Sequence, residues 1–359
     1  MKRFSYTYEI AINEAQLSLI HPKTLLFDIE TTGLSSKTSQ IYCIGFAYYI
    51  ENSLELVQLF AESKEDELQL LSSFLEILPH YNNLISYNGR TFDLRYLQEK
   101  CKHYQLDPSP LELAHVDLYR LYTPFKKLLG LQDQKQKTLE QLLDTDRKDE
   151  YNGGELIKIY RKYLKFPEEE KLELLLLHNR EDVYGLFLLC KLHSLCSLFS
   201  GEWKLGKIEY EEDGKTSLVF YLNLLEPLPV TISYYADKIF LYARSNTVVL
   251  KVPVLETTMR YYYDNYKDYY YFPEEDMAIH KMLAKYAASD HKVKATAKTA
   301  YTWQAGSFIP VYGDFKTENL KVFYYDDAKK EPYILHDDSF FEEFTMAYCE
   351  SVLNYILKH

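Results

Sequence analysis

The sequence predicts an α/β protein: a mixed sheet flanked by helices over residues 1–200, then a β-rich α+β domain over residues 201–359. Three observations carry this reading. Segments run in the order βββαβαβ followed by helices, which suits a mixed sheet covered by helices. A long apolar stretch, 168–199, reads as a helix. At residues 201–203 helical spacing gives way to alternation and turn signals, the mark of a small antiparallel sheet.

In chain order, residues 4–13 read as an added strand or arm. Residues 24–30 form the first clear strand, 41–50 (IYCIGFAYYI) the second and 54–60 (LELVQLF) the third. Glu51, Asn52 and Ser53 supply the turn between the last two, so the three make a meander. Leu68, Leu71, Leu75 and Leu78 have helical spacing over 64–78, closed by Pro79. A short strand, 83–87, leads into YNGRTFDLRYL (87–97), where Asn88 and Gly89 turn the chain and a helix opens near Thr91. Residues 111–117 read as a strand, and 118–128, 137–144 and 154–164 as helices. In the second domain WKLGKIEY, an acidic turn EEDGK (211–215), SLVFYLNL, KIFLYAR and TVVLKVPVL read as a strand-rich run. Residues 273–288 read as a helix opened by Pro273, and 340–357 as a closing helix.

Composition narrows the function. The chain has 359 residues, 47% hydrophobic and 26% charged, ordinary for a soluble globular protein with two cores. No apolar run approaches the ~18 residues of a bilayer-spanning helix. The basic N-terminus lacks the apolar centre of a signal peptide, so the expected location is cytoplasmic. The five cysteines include no C-x-x-C pair, which argues against a zinc ribbon and a disulfide framework. A net charge of −12 excludes a general nucleic-acid coat, which needs a basic surface. A phosphate backbone can still be held locally, by metal ions and a few lysines.

The chemistry centres on LLFDIETTGL (25–34). On a strand, residues i and i+2 share a face, so Asp28 and Glu30 project together while Phe27 and Ile29 face the opposite layer. Paired carboxylates repel and raise one another's pKa unless a cation sits between them. With no adjacent Lys or Arg, a hard divalent ion, Mg²⁺ or Mn²⁺, is the expected neutraliser. Alone, D-x-E reads as a solvated strand face; two later motifs shift the balance. Asp93 stands at a helix start, where a carboxylate favours the dipole or serves as a third metal ligand. Asn88 and Arg90 in the same loop are placed to touch a phosphate or sugar. In LLLHNREDVYGLFLL, His178 and Asp182 are four apart on one helix face. An Asp within so apolar a helix is costly unless paired or metal-bound. Gly185, one turn on, leaves room for a ligand or another backbone. Asp117, closing the strand after the second motif, reads either as a fifth acidic ligand or, the reading preferred, as the cap of the helix that begins at Leu118.

FDIETTGL, YNGRTFDLRYL and HNREDV together resemble, in order, the three motifs of the DEDD 3′–5′ exonucleases, which share the RNase H-like fold. The resemblance is closest to the bacterial RNase H-like, YprB-type predicted exonucleases. It implies Asp28, Glu30, Asp93 and Asp182 as the ligands of two Mg²⁺ or Mn²⁺ ions, and His178 as general base. Thr31 and Leu34 correspond to positions that grip the terminal nucleotide. The implied activity is two-metal hydrolysis of single-stranded or frayed nucleic acid, DNA or RNA, releasing nucleoside 5′-monophosphates. One departure stands out: the His subclass places its histidine five residues before the last Asp, whereas here it is four before, the spacing of the Tyr subclass. That difference turns a side chain by about 100° on a helix, which makes Asn179 the neighbour to watch. Two alternatives stay open: an RNase H-like endonuclease, and a non-catalytic nucleic-acid or protein-binding module on the same fold.

In the second domain, residues 281–298 hold Lys281, Lys285, Lys292, Lys294 and Lys298 against one acid, Asp290. The cluster reads either as a backbone-binding patch, with Lys292 and Lys294 as contacts, or as a solvated helix face. YYYDNYKDYYY (261–271) reads either as a base-stacking platform or as core-packed tyrosines.

Overall fold

A computed structural model describes residues 1–211, 216–315, 320–326 and 329–359. The chain forms two compact units, Met1–Ser197 with Glu226–Val230, and Leu198–Leu225 with Thr231–His359.

The first unit is built on a six-stranded sheet in the order β1-β4-β3-β2-β5-β6. Its strands are β1 (Lys2–Glu9), β2 (Thr24–Thr31), β3 (Ile41–Ile50), β4 (Ser53–Phe60), β5 (Asn83–Ser86) and β6 (Ala114–Asp117). The pairs β1–β4, β4–β3 and β3–β2 are antiparallel, while β2–β5 and β5–β6 are parallel. β2 therefore sits where the antiparallel and parallel halves of the sheet meet. The expected meander is present, and the expected N-terminal arm is an edge strand on β4 followed by a one-turn helix, α1 (Glu14–Leu17).

Helices cover both faces. α2 (Glu67–Ile77) lays Leu70, Leu71 and Phe74 on one face, where Phe27 meets Phe74 at 5.8 Å between ring centres. α3 (Asp93–Tyr104) follows the turn after β5, and α4 (Leu118–Tyr122) follows β6. α5 (Gln136–Gln141) and α6 (Gly153–Tyr163) come next, α6 opened by a capping box between Asn152 and Glu155. The stretch expected as one helix over 168–199 divides into α7 (Glu169–Leu189), a tight turn over Cys190–Leu192, and α8 (His193–Phe199). Contrary to the sequence reading, Glu169–Phe199 is long and apolar enough to cross a membrane by length and composition. Leu172, Leu175, Leu176, Val183, Leu186 and Leu189 are all buried, and α7 packs on β2, β3 and α6. Its apolarity is thereby accounted for as a core face.

β7 (Trp203–Tyr210), β8 (Ser217–Ala236) and β9 (Ile239–Pro253) form one sheet, which belongs to the second unit except for Glu226–Val230 of β8. The two strand segments expected over 238–255 are one continuous β9, and residues 212–215 of the acidic turn lie outside the described residues. β10 (Leu255–Tyr262), β14 (Tyr301–Pro310), β15 (Val322–Tyr324) and β16 (Pro332–Leu335) close into a small barrel around Met259, Phe308 and Phe323. β11 (Tyr269–Phe272), β12 (Met277–His280) and β13 (Val293–Lys294) make a third sheet. The chain ends in α10 (Asp338–Glu343) and α11 (Thr345–Lys358).

The helix expected over 273–288 is corrected. Residues 273–276 turn the β11–β12 hairpin, and only α9 (Lys281–Ala284) is helical. Asp276 explains this: it adopts φ 49°, its carboxylate accepts from the Tyr271 and Tyr301 hydroxyls, and its carbonyl accepts from the Trp303 indole at 2.9 Å. These tertiary bonds hold a turn where local spacing alone favours a helix.

Candidate active site

β2 buries Leu25, Leu26, Phe27 and Ile29 and presents Asp28 and Glu30 on the face that receives α7. Opposite Asp28 on β3 stands Gly45, and opposite Glu30 stands Cys43. A Cβ at Gly45 would fall 2.1 Å from Asn179 Oδ1, so the absent side chain is what admits the α7 amide to the sheet. Asn179, fully buried, donates to Asp28 Oδ2 at 2.9 Å and accepts at Oδ1 from Gln58 Nε2 (2.8 Å) and the Cys43 thiol (3.4 Å). Three strands and the helix are thus fixed through one amide, beside the first carboxylate.

Asp93 arrives from the other side. β5 pairs with β2 only as far as Leu26, and beyond that the Ile29 N–H donates to Asp93 Oδ1 at 3.2 Å. The turn before α3 needs Gly89, since a Cβ there would meet Ser86 Oγ at 2.0 Å, and it places Asn88 at φ 60°. Asp117 clamps this turn. Its carboxylate accepts from the backbone N–H of Asn88 (2.7 Å) and of Arg90 (3.2 Å) while it caps α4 at Tyr119. The Asn88 and Arg90 backbones are therefore committed, whereas the Arg90 side chain is exposed. Thr31 donates to the Gly33 carbonyl (3.0 Å), holding the turn that leaves Leu34 88% exposed.

On α7, His178 Nε2 lies 3.5 Å from Glu30 Oε1 and 3.4 Å from Asp182 Oδ2. Its Nδ1 lies 2.6 Å from Asp149 Oδ2. Arg147 Nη2 contacts Asp182 Oδ1 at 2.5 Å, and Nη1 contacts Glu140 Oε2 at 3.0 Å. Lys137 Nζ is 2.7 Å from Asp149. Glu181 accepts from the Lys148 and Asp149 N–H groups, fastening the segment between α5 and α6 to α7. Gly185 leaves room for the Glu140 carboxylate, whose Oε1 would lie 1.9 Å from a Cβ there.

Charge is unevenly balanced across this site. Burial pushes the Asp28 carboxyl well up, Asp182, Asp93 and Glu30 push it further, and the Asn179 amide opposes them. Burial raises Glu30 to about 7, although His178 works against it. Asp93 is also raised to about 7 by burial, against the pull of its own and the Ile29 N–H groups. For His178, burial favours the neutral ring but is outweighed by the Asp149 hydrogen bond and by Glu30 and Asp182, which lift it to about 9. Asp149 is held below the usual carboxylate range: burial is overcome by its bonds from His178 and Lys137.

Asp28, Glu30, Asp93 and Asp182 feel one another's charge, so one region collects all four carboxylates expected from the three motifs. Among the described residues, Glu30, His178 and Asp182 offer one ligand atom each within 4.8 Å of one another. Asp28 and Asp93 fall outside that triplet. Sequence reasoning missed Arg147 and Asp149. Both lie in the charged run TDRKDE (145–150), which by itself reads as a solvated loop. Lys292 is turned inward: it donates to the Ala284 and Ala287 carbonyls, and its Nζ lies over the Tyr270 ring at 5.4 Å. Lys294 is exposed. Within 261–271 Tyr263 stacks on Tyr269 at 4.1 Å and meets Tyr261 edge-on, while Tyr262 and Tyr271 meet Tyr301 outside the run.

A family model described as the RNase_H superfamily matches residues 25–194. The fold of the first unit is RNase H-like, an α/β mixed sheet with flanking helices, followed by the strand-rich C-terminal sheets. No curated protein matches the chain in sequence. Among solved structures it is similar to the family B DNA polymerase from the hyperthermophilic archaeon Pyrobaculum calidifontis. There the identity is 14%, the TM-score 0.41, and the match covers 93% of this chain and 41% of that one. It is also similar to E. coli ExoI in a zinc-bound complex with single-stranded DNA. In that case the identity is 10%, the TM-score 0.27, and 57% of this chain and 54% of that one are covered. The chain thus spans about half, or less, of the length of each.

Proposed function

We propose that this chain is a metal-dependent nuclease, a 3′–5′ exonuclease that shortens single-stranded or frayed nucleic acid and releases nucleoside 5′-monophosphates. The observation that carries the reading is the convergence of Asp28, Glu30 and Asp93, with Glu30 and Asp93 buried, Asp28 half-buried, and burial the chief cause that raises each carboxyl. Buried like charges of this kind are relieved by a divalent cation. The donor set fits one: hard carboxylate oxygens with a single imidazole suit Mg²⁺ or Mn²⁺. Asp28, Glu30, Asp93 and Asp182 would hold two such ions. When bound, these ions lower the pKa of water and stabilise the oxygen that leaves phosphorus.

The chain's own groups have separable tasks. Asp149 fixes the His178 tautomer through Nδ1, so Nε2 faces Glu30 and Asp182. With the carboxylate charge offset, the ring returns toward neutrality and Nε2 accepts the proton of the attacking water. Asn179 keeps Asp28 on the correct side of β2. Arg90 and Asn88 flank the scissile phosphate from the turn that Asp117 clamps, and exposed Leu34 abuts the terminal base. Lys294 is the exposed cation retained as a backbone contact in the second unit.

A second reading, a non-catalytic binding module on the same fold, is favoured by one observation. Arg147 and His178 already offset Asp182, occupying both of its oxygens. Incubating the purified chain with Mg²⁺ or Mn²⁺ and 5′- or 3′-labelled oligonucleotides, DNA and RNA, separates the readings. Stepwise shortening from the 3′ end supports the exonuclease and internal cuts support an endonuclease. Binding without cleavage under either metal supports the module. Cleavage unchanged in Asp28→Ala refutes the site.

A further inference from the structure

We infer that a cationic cleft beside the end of β2 is a second binding site, one that takes the phosphodiester backbone of the strand leading away from the reacting phosphate. The cleft, about 610 Å³, is lined by Thr32, Gln40, Lys64, Arg161, Lys162 and Lys165, with the buried Tyr160 beside them. Among the described residues none of the four cations makes an ion pair or a side-chain hydrogen bond, and no carboxylate lines the cleft. In a chain of net charge −12, four unpaired cations around one depression are a strong local reversal of sign. The α6 dipole favours Arg161 and Lys162 in its last turn. It does not account for Lys64, which arrives from a separate element nearly a hundred residues earlier, nor for Lys165 beyond the helix end, four residues after Arg161.

Position ties the cleft to the carboxylates. Thr32 is two residues from Glu30, which at ~3.3 Å per residue puts the cleft wall within about 7 Å of the site along the backbone. A stacked ring pair makes a second connection. Tyr160 lies on Tyr42 with centres 4.3 Å apart, and the Tyr42 hydroxyl donates to Glu30 Oε2 at 3.3 Å. A strand whose scissile phosphate reaches Glu30 therefore has a cationic wall for its next phosphates, while the Thr32 hydroxyl, which accepts from the Gln40 N–H at 2.9 Å, keeps its own proton as a neutral donor. The ligand chemistry is a phosphodiester polyanion, and its identity as nucleic acid rests on the nuclease reading above.

The test is fluorescence anisotropy of a labelled single-stranded 20-mer at several salt concentrations in EDTA, so that binding is read without cleavage. The variants are Arg161→Ala/Lys162→Ala/Lys165→Ala and, separately, Lys64→Ala. A control of equal charge change is Lys23→Ala/Lys126→Ala/Lys127→Ala. For the triple variant we expect at least a tenfold weaker Kd and a log Kd–log salt slope shallower by about 0.7 for each phosphate no longer neutralised. The control stays within twofold, and Arg161→Lys/Lys162→Arg retains binding. Competition with inorganic phosphate or a mononucleotide distinguishes a strand track from a small-anion pocket. Equal Kd and slope in the wild type and the triple variant overturn the inference, as does displacement of the 20-mer by mononucleotide at its own Kd. Loss of binding in a chain that never cuts nucleic acid leaves the cleft standing and removes the nuclease reading; cutting with unaltered binding does the reverse.

Discussion

The two ends of the carboxylate site are opposites in charge balance. At the β2–α3 end, Asp28 and Asp93 are held by neutral donors, the Asn179 amide and the Ile29 N–H. At the α7 end, Asp182 sits between a guanidinium and an imidazole, within a network that also includes Glu140, Asp149 and Glu181. The first end gains by admitting a cation; the second has built one in. A ligand ion entering this site is therefore drawn by Asp28, Glu30 and Asp93 and must compete with Arg147 for Asp182. A set of acids in the right order does not by itself fix a metal site. The counter-charges brought by the intervening loop set how strongly an ion is held.

The largest effect is expected at the uncompensated end. Asp28→Ala should lower cleavage by about 10³-fold or more, the scale of losing a whole electrostatic element in phosphoryl transfer, measured as single-turnover rates on a labelled oligonucleotide. Next in size, His178→Ala should cost on the order of 10²–10⁴-fold in rate, the usual worth of a positioned general base. Asp149→Asn should instead move the acidic limb of the pH–rate profile to lower pH, because the hydrogen bond that raises His178 is weakened. An unmoved limb would separate Asp149 from the proton transfer.

At the compensated end, Arg147→Ala should destabilise the metal-free protein by about 3–5 kcal/mol, the cost of stripping the counter-charge from buried acids. The same change should tighten Mn²⁺ binding several-fold. Denaturant melts and calorimetric titration read the two effects, and weaker Mn²⁺ binding would make Arg147 a support of the site rather than a competitor.

The pH dependence of stability follows from the same groups. Glu30 and Asp93 have folded pKa values of about 7, above their unfolded ones, so their contribution is complete below the ordinary carboxylate range and is lost as pH rises toward 7. The contribution of His178 is complete below about 6.5 and is lost as pH rises through about 9. In EDTA the Tm should therefore fall between pH 5 and 9, and the stabilisation by Mg²⁺ should grow over the same range. A flat Tm would contradict the charge imbalance between the two ends of the site. The smallest effect belongs to the second unit: Lys292→Met should cost about 1 kcal/mol through the two hydrogen bonds it loses, since the Ala284 carbonyl keeps its bond from the Ala287 N–H, with oligonucleotide affinity unchanged.

The motifs were legible because their geometry is local. The two-residue repeat of a strand puts Asp28 beside Glu30, and the helical repeat puts His178 over Asp182, whatever the rest of the chain does. The meander and the apolar core helix were legible for the same reason: periodicity is written in adjacent residues. Boundaries and one element were not. The spacing over 273–288 reads as helical, yet Asp276 finds Tyr271, Tyr301 and Trp303 across two sheets and turns the chain there.

Within the site, the sequence alone determined which acids are present and on which faces they lie. Only the tertiary structure decided their charge state. Arg147 and Asp149 stand some thirty residues before the α7 groups they meet, Asp182 and His178, and Gly45 and Gln58 more than a hundred residues from the Asn179 they receive. Coulomb and desolvation energies depend on distance through space and on burial. No local pattern of residues encodes either quantity before the chain has folded.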